Sequence, residues 1–329
     1  PQKLARESFA GLCMTQLDAQ VQAFVDQSMS YYPADAVGAE VTQQRQWYNA
    51  LCLALAAPRP DTVVIKDDNV QGVDGYLIPV RHYQAKPLSD NAELLSNLQV
   101  VYFHGGGFVV GGLDSHDDVC AELADFCGFN LVSVDYRLAP EYQYPCDIND
   151  CLAVVDHLLD QGKKLILVGD SAGGTLAACV ANARSNYSGK QLLGQVLIYP
   201  ALAGGIQTRS TQEHAYAPLL TQADLVFYHA IRVGGNESKV PKQDPYFCPM
   251  QTQSFAALPP TFLFPAQIDP LHDDCERYEQ ALRAAGVEVQ NNTNIGIGLV
   301  HGYLRARHTS NKAAANFKAI CTAVKDLGQ

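Results

Sequence analysis

From about residue 62 onward the chain alternates short, nearly continuous apolar runs with longer stretches in which apolar residues recur every third or fourth position. "TVVIK" and "GYLIPVRHY" come first and lie close enough together to form a hairpin. "LQVVYFH", "NLVSVDY", "KLILVGD", "QVLIYP", "TFLFPA" and "VEVQNN" follow as further strands, and the intervening spacing predicts helices at roughly 114–128, 147–161, 172–185 and 273–285. Strands that are apolar on both faces and separated by helices imply an α/β fold, a mostly parallel sheet covered by helices on both sides.

Two segments break the alternation. Residues 1–55 are helical in pattern with no strand, and residues 203–245 carry a helix candidate, "TQADLVFYHAIRV", with Thr221 placed to cap its start. Both read as parts of a helical cap over one end of the sheet, within a single domain spanning 1–329.

The composition supports a large core: 47% of the 329 residues are apolar and 17% charged, which argues against disorder. A formal net charge of −11, with no Lys/Arg cluster, argues against nucleic acid or an anionic membrane surface as partner. The ten cysteines are scattered through a long chain without a C-x-x-C pair, so they read as reduced core thiols rather than disulfides, zinc ligands or a redox motif. No apolar run suits a signal peptide or a membrane helix, and the expectation is a cytoplasmic protein.

Chemistry concentrates around "GDSAGG", residues 169–174. Ser171 directly follows a predicted strand and directly precedes a predicted helix, and the glycines at 169 and 173 let a tight strand-to-helix turn lift its hydroxyl into the open. There a helix N-terminus favours developing negative charge. "HGGGF" follows another strand, but its spacing fails a dinucleotide loop because Val110 stands where the last glycine is needed, and no GK[ST] follows. Its backbone N–H groups suit an oxyanion hole instead, where one donor contributes about 3–4 kcal/mol in the transition state.

A serine nucleophile needs a base, and the base needs an orienting acid. Asp269 leaves the strand "TFLFPA" and His301 lies in the glycine-flanked loop "GIGLVHGY" beyond the last strand, in the order nucleophile, acid, base. Of the nine histidines His301 is the one so placed; its nearest rival, His272, is too close to Asp269 to belong to a separate loop. The aspartates in "SHDD" and "LHDD" resemble metal-ligand clusters, but adjacent helical residues face different ways, so no metal is expected.

"HGGGF", "YRLAPE" at 136–141, "GDSAGG", "DPL" at 269–271 and "HG" at 301–302, in this order, resemble the signature set of the hormone-sensitive-lipase-like esterases, a branch of the α/β-hydrolases. The resemblance runs from about residue 62 to 310. It implies the α/β-hydrolase fold, a cap built from the N-terminal segment plus an insertion, and carboxylesterase activity on a small-molecule ester without metal or organic cofactor. By position it makes Ser171 the nucleophile, His301 the base, Asp269 the orienting acid, and Gly105, Gly106 and Ala172 the oxyanion donors. His104 is by the same resemblance a loop-organising residue. The family usually has a glycine shortly before the acid, where this chain reads "PAQID", and a phenylalanine after "HG", where it has Tyr303; both departures are expected at the substrate-facing rim. Phe108, Tyr216, Phe227 and Tyr303 are the aromatic candidates for lining a pocket suited to short acyl chains. Pairing of two copies through an edge strand is common in that family, and no segment here marks an interface.

Three alternatives stay open on sequence. An amidase or a lactonase would share the nucleophilic attack and differ only in leaving group and pocket shape. A ligand receptor on the same fold would need no base, which the presence of His301 argues against. An aspartate-nucleophile dehalogenase or epoxide hydrolase is excluded by Ser171 at the nucleophile position.

Overall fold

Strand β3 (Leu98–Phe103), LQVVYF, has no charged residue, and all six of its side chains are buried. Its alternate residues serve two separate cores. Val100 and Tyr102 pack with helices α3 (Asp117–Cys127) and α9 (Asn311–Leu327), whereas Val101 and Phe103 pack with α4 (Cys146–Asp160), α5 (Ala172–Ala183) and α8 (His272–Ala284). The two-residue side-chain period of a strand thus makes a three-layer structure of helices, sheet and helices. The computed structural model describes residues 17–33, 36, 39–86, 97–185, 191–203 and 207–329.

The sheet has eight strands in the order β1-β2-β4-β3-β5-β6-β7-β8. From β4 (Asn130–Val134) through β3, β5 (Lys164–Asp170), β6 (Leu192–Ile198) and β7 (Thr261–Phe264) to β8 (Val289–Asn291) all pairings are parallel. β2 (Leu77–Gln84) joins β4 antiparallel and forms the expected hairpin with β1 (Val64–Gln71). β1 runs on through Lys66, Asp67 and Asp68 well past the apolar "TVVIK", because an edge strand faces water and its charges deter pairing with other chains.

The four expected helices form within about three residues of their predicted bounds, residues 114–116 making a short 3₁₀ turn ahead of α3. α5, AGGTLAACVANA, has ten buried residues because it lies between the sheet and α4. α9 is an element the periodicity does not single out: its buried face includes Ala313, Asn316, Cys321 and Ala323, small or polar side chains that carry little apolar signal.

The described parts of the two segments that break the alternation carry helices and no strand. α1 (Ala19–Ser30) buries Val21, Phe24 and Val25 in the same core as Leu304 and Ala313. α2 (Val41–Leu55) and α7 (Gln222–Arg232) instead meet over the loop after β3, where Val41 and Tyr48 from one and Tyr228 and Ile231 from the other pack on Val109, Val110 and Ala139. Thr221 caps α7 through a reciprocal pair with Asp224. Residues 1–16 and 204–206, within the two expected cap segments, lie outside the described residues. Among the described residues no helix is long and apolar enough to cross a membrane.

The aspartates of "SHDD" and "LHDD" are consumed in holding these parts together. Asp117 accepts from Arg81 and Tyr83, Asp118 from Arg307 and the Ala57 N–H. Asp273 accepts from the N–H of Ser210 at the start of the short helix α6 (Arg209–Glu213), and Asp274 accepts the Leu202 and Ala203 N–H groups at 2.7 and 2.9 Å, fixing the point where the 203–245 insertion leaves the sheet.

Candidate active site

β5 ends at Asp170 and α5 begins at Ala172, so Ser171 alone makes the turn between them. Its φ of 53° is unusual for a residue with a Cβ and aims the side chain away from both elements. The glycines make the turn sterically possible. A Cβ at Gly173 would fall 1.9 Å from the Phe103 carbonyl oxygen, and one at Gly169 would fall 2.3 Å from the Gly173 carbonyl oxygen. The turn is anchored by Ser171 N–H donating to Ile198 O at 2.8 Å and Thr175 N–H donating to Ser171 O at 3.0 Å.

Asp269 and His301 come from loops on the neighbouring strands, and one backbone bridge sets them side by side. Ile268 pairs in parallel with Val300, the Ile268 N–H donating to Leu299 O at 3.0 Å. The next residue on each branch is therefore Asp269 and His301. Asp269 Oδ2 meets His301 Nδ1 at 2.7 Å, and His301 Nε2 meets Ser171 Oγ at 2.8 Å. The Leu271 N–H donates to the other carboxylate oxygen at 2.9 Å. Asp269 is fully buried and His301 nearly so, which strengthens charge-assisted hydrogen bonds by excluding water. A carboxylate so placed can hold the imidazole with its proton on Nδ1, which leaves Nε2 able to accept a proton from the serine hydroxyl.

The glycine run after β3 needs one correction. Gly105, expected among the oxyanion donors, is buried and its N–H already donates to Asp170 Oδ1 at 2.9 Å. The next two glycines differ: among the described residues the N–H groups of Gly106 and Gly107 have no acceptor, and both residues are partly exposed. Their φ values of 125° and 61° lie in the left-handed half of backbone space, which glycine enters at no steric cost. The Ala172 N–H, in the first turn of α5, has no intrahelical partner either.

Asp170 ties these pieces together, a role the sequence pattern does not isolate because the residue reads simply as the end of a strand. Besides Gly105 it accepts from Tyr102 Oη at 2.8 Å, and it faces His116 Nε2 at 3.3 Å and Tyr199 Oη at 3.5 Å. Burial works to raise its pKa, yet His116 and the Tyr102 hydrogen bond hold the carboxyl well below the usual range. Tyr199, the first residue after β6, also lays its ring 4.7 Å from that of His301. Its position at the carboxyl end of a strand beside the serine turn is the signal that identifies it.

His104 is fully buried, stacks on Tyr136 with ring centroids 4.3 Å apart, and meets Gly105 O through Nδ1 at 2.8 Å. Burial and then the adjacent His116 push its imidazole down to about 3. Between about pH 6.5 and pH 3 the unfolded chain binds a proton here that the folded chain refuses. The stability contributed by His104 is therefore intact above that window and lost as pH falls through it. Burial pushes Asp135 and Asp274 up to about 6, which acts in the opposite direction over part of the range. Comparison with a His104→Gln variant isolates the histidine. In urea unfolding the wild type should lose roughly 2 kcal/mol more than the variant between pH 7 and pH 5, whereas parallel losses would clear His104 of the linkage.

The four aromatic pocket candidates do not share one wall. Tyr303 is corrected outright: it has no exposed surface, and its Oη donates to Asn316 Oδ1 at 2.8 Å and lies 3.2 Å from Phe264 O, so it braces Tyr199 from within the core. Phe108 is buried beneath the Arg232 guanidinium, 3.9 Å from its ring centroid. Phe227 is partly exposed on α7, and Tyr216 is 76% exposed. Of the motif departures, Gln267 accepts the Gly298 N–H at 2.7 Å and so holds the loop leading to His301.

Comparison with known proteins adds to this geometry. A family described as having the alpha/beta hydrolase fold matches residues 100–305. Esterase LipI of Mycobacterium tuberculosis is 36% identical over 241 residues, 70% of this chain and 73% of that protein. The ethyl acetate hydrolase of Pseudomonas putida is 33% identical over 285 residues, 83% of this chain and 85% of that protein. Among solved structures, a hyperthermophilic esterase from the archaeon Pyrobaculum calidifontis is similar with a TM-score of 0.81 at 28% identity, covering 95% of this chain and 99% of that one.

Proposed function

Because this chain belongs to the α/β-hydrolase-fold family, in its hormone-sensitive-lipase-like branch, and is a carboxylic ester hydrolase, we propose that Ser171 is its nucleophile, His301 its general base and Asp269 the carboxylate that orients the base. The observation that carries this assignment is the continuous relay from Asp269 through His301 to Ser171, with contacts of 2.7 and 2.8 Å. Ser171 Oγ attacks the ester carbonyl carbon while its proton passes to His301 Nε2, and the carbonyl oxygen becomes an oxyanion held by Gly106, Gly107 and Ala172 N–H groups. Collapse expels the alcohol, which takes the proton from His301 and leaves an acyl-serine. Water then attacks that ester with the same base, the acid departs, and Ser171 recovers its proton.

The cap is assigned to α2 and the insertion carrying α7, supported by their shared apolar cluster over the loop after β3. A covered serine offers a site of limited depth, so the substrates are small-molecule esters with acyl chains of roughly two to six carbons. The relative that acts on ethyl acetate, an ester with a two-carbon acyl group, supports the same range. The cytoplasm is the proposed setting, in keeping with nine free cysteines among the described residues.

A p-nitrophenyl ester series tests the range. Each methylene that fits contributes up to about 0.8 kcal/mol, so kcat/KM should climb with chain length and then drop at the pocket wall. Faster turnover on emulsified triolein than on a butyrate ester would remove the short-chain reading. EDTA should leave the rate unchanged, because side chains alone activate the nucleophile; inhibition reversed by a divalent cation would overturn that mechanism.

A further inference from the structure

The hydroxyl and imidazole of the relay sit on the sheet, but the loop carrying the oxyanion donors is gripped from outside it. Arg45, on α2, donates from Nε to Val109 O at 2.8 Å and from Nη2 to Ala139 O at 3.0 Å. The same guanidinium binds Glu141 with both terminal nitrogens, at 2.8 and 2.7 Å. Those acceptors belong to two separate loops, residues 105–110 after β3 and the "YRLAPE" loop after β4, which are themselves joined by the Ala139 N–H donating to Phe108 O at 2.9 Å. Inside the first loop the Val109 and Val110 N–H groups both donate to Gly106 O at 3.0 Å, closing a turn whose outer carbonyl is the one Arg45 holds. The turn has no slack: a Cβ at Gly106 would fall 2.0 Å from Val110 O, and one at Gly107 would fall 2.4 Å from the Tyr228 ring on α7.

We propose that Arg45 is a positioning residue for the oxyanion hole, fixing the orientation of the Gly106 and Gly107 N–H groups through Val109, so that the cap sets the catalytic geometry as well as covering the site. The inference rests on the assignment of those two glycines as donors. A single arginine is needed because its planar fork can meet two carbonyls and a carboxylate at once, and a lysine ammonium on a flexible stem cannot hold that geometry. The grip matters because oxyanion stabilisation depends on donors already aimed at where charge develops, and small misplacements cost large factors in rate.

The test compares wild type, Arg45→Ala and Arg45→Lys with p-nitrophenyl butyrate and with a short alkyl trifluoromethyl ketone. Ser171 Oγ adds to the ketone carbonyl carbon, its proton moves to His301, and the carbonyl oxygen becomes an oxyanion in the same hole, so the inhibition constant reads the hole directly. Both variants should lose about 10- to 100-fold in kcat with KM little changed, short of the roughly 10²- to 10³-fold cost of deleting a donor outright. The inhibition constant should rise by the same factor, because a transition-state analogue senses the interactions that kcat does. Arg45→Lys keeps the charge opposite Glu141 and carries the same test if the alanine variant does not fold. Rescue by lysine, or a lowered Tm with kcat and inhibition unchanged, would reduce Arg45 to a surface tether and overturn the proposal. A raised KM with intact kcat would overturn it too, placing Arg45 in substrate binding. Failure of the underlying triad reading shows separately, as wild-type protein that neither turns over the ester nor binds the ketone.

Discussion

Replacing Ser171 by alanine is expected to abolish ester turnover and leave the folded structure almost untouched. The side chain it removes makes one hydrogen bond among the described residues, to His301 Nε2, and caps nothing in α5. Alanine keeps the Cβ and accepts the same φ of 53° that serine does, so the turn neither gains nor loses strain. Loss of the nucleophile in such a relay typically costs on the order of 10⁶-fold in kcat, and the residual rate comes from the oxyanion hole and binding. His301→Ala should be nearly as damaging, and the double variant should be little worse than either, because the residues act as one unit. Asp269→Asn should fall somewhat less, on the order of 10⁴-fold, by stabilising the wrong imidazole tautomer. Retention of more than about a hundredth of wild-type activity in Ser171→Ala would end the assignment.

The second large effect concerns a position where ordinary helix reasoning gives the wrong sign. Gly173 lies in the first turn of α5, and in an exposed helix interior Gly→Ala gains roughly 1 kcal/mol. Here the added methyl would sit 1.9 Å from Phe103 O, 2.5 Å from the carbon bearing it and 2.7 Å from His104 O. All three are backbone atoms at the end of a central strand, so no side-chain rotation relieves the clash and the helix start must move away from β3. That shift carries Ser171 and the Ala172 N–H away from Gly106 and Gly107. Gly173→Ala should therefore lose about 3 kcal/mol or more of stability, at the upper end of overpacking costs, together with at least about 100-fold in kcat. Urea unfolding and steady-state kinetics on the same preparation check both. An alanine variant as stable and active as wild type would mean that the helix packs less closely on β3 than these distances require.

The sheet was legible because its central strands are buried on both faces, which writes them as nearly continuous apolar runs such as LQVVYF and KLILVGD. Ser171, Asp269 and His301 were legible because each sits where a strand gives way to a loop, at the end of the sheet where ligands bind. What the sequence hides is the competition for individual backbone groups. Gly105 and Gly107 are equivalent in "HGGGF", and only the fold shows that Asp170 engages the first and leaves the third free. Tyr303 misleads for a related reason: an aromatic beside His301 looks like a pocket wall, yet the short 3₁₀ turn it begins points it inward to Asn316. Arg45 leaves no local signal at all, since its partners lie 64 to 96 residues away.

The bridge between Ile268 and Val300 has a further consequence, for how this chain tolerates being rebuilt. It fixes the separation of Asp269 and His301 by one rung of backbone pairing, whatever length of polypeptide lies between them. That intervening stretch includes α8 and β8, joined by an exposed turn at Gly286 where even a Cβ would meet nothing within 4 Å. Lengthening a surface loop costs only about 0.6 kcal/mol per doubling, and β8 stays registered by its own pairing with β7. The turn at Gly286 is thus a natural graft point, where a peptide tag or a small foreign domain can be spliced into the chain between Asp269 and His301 without entering the geometry that joins them.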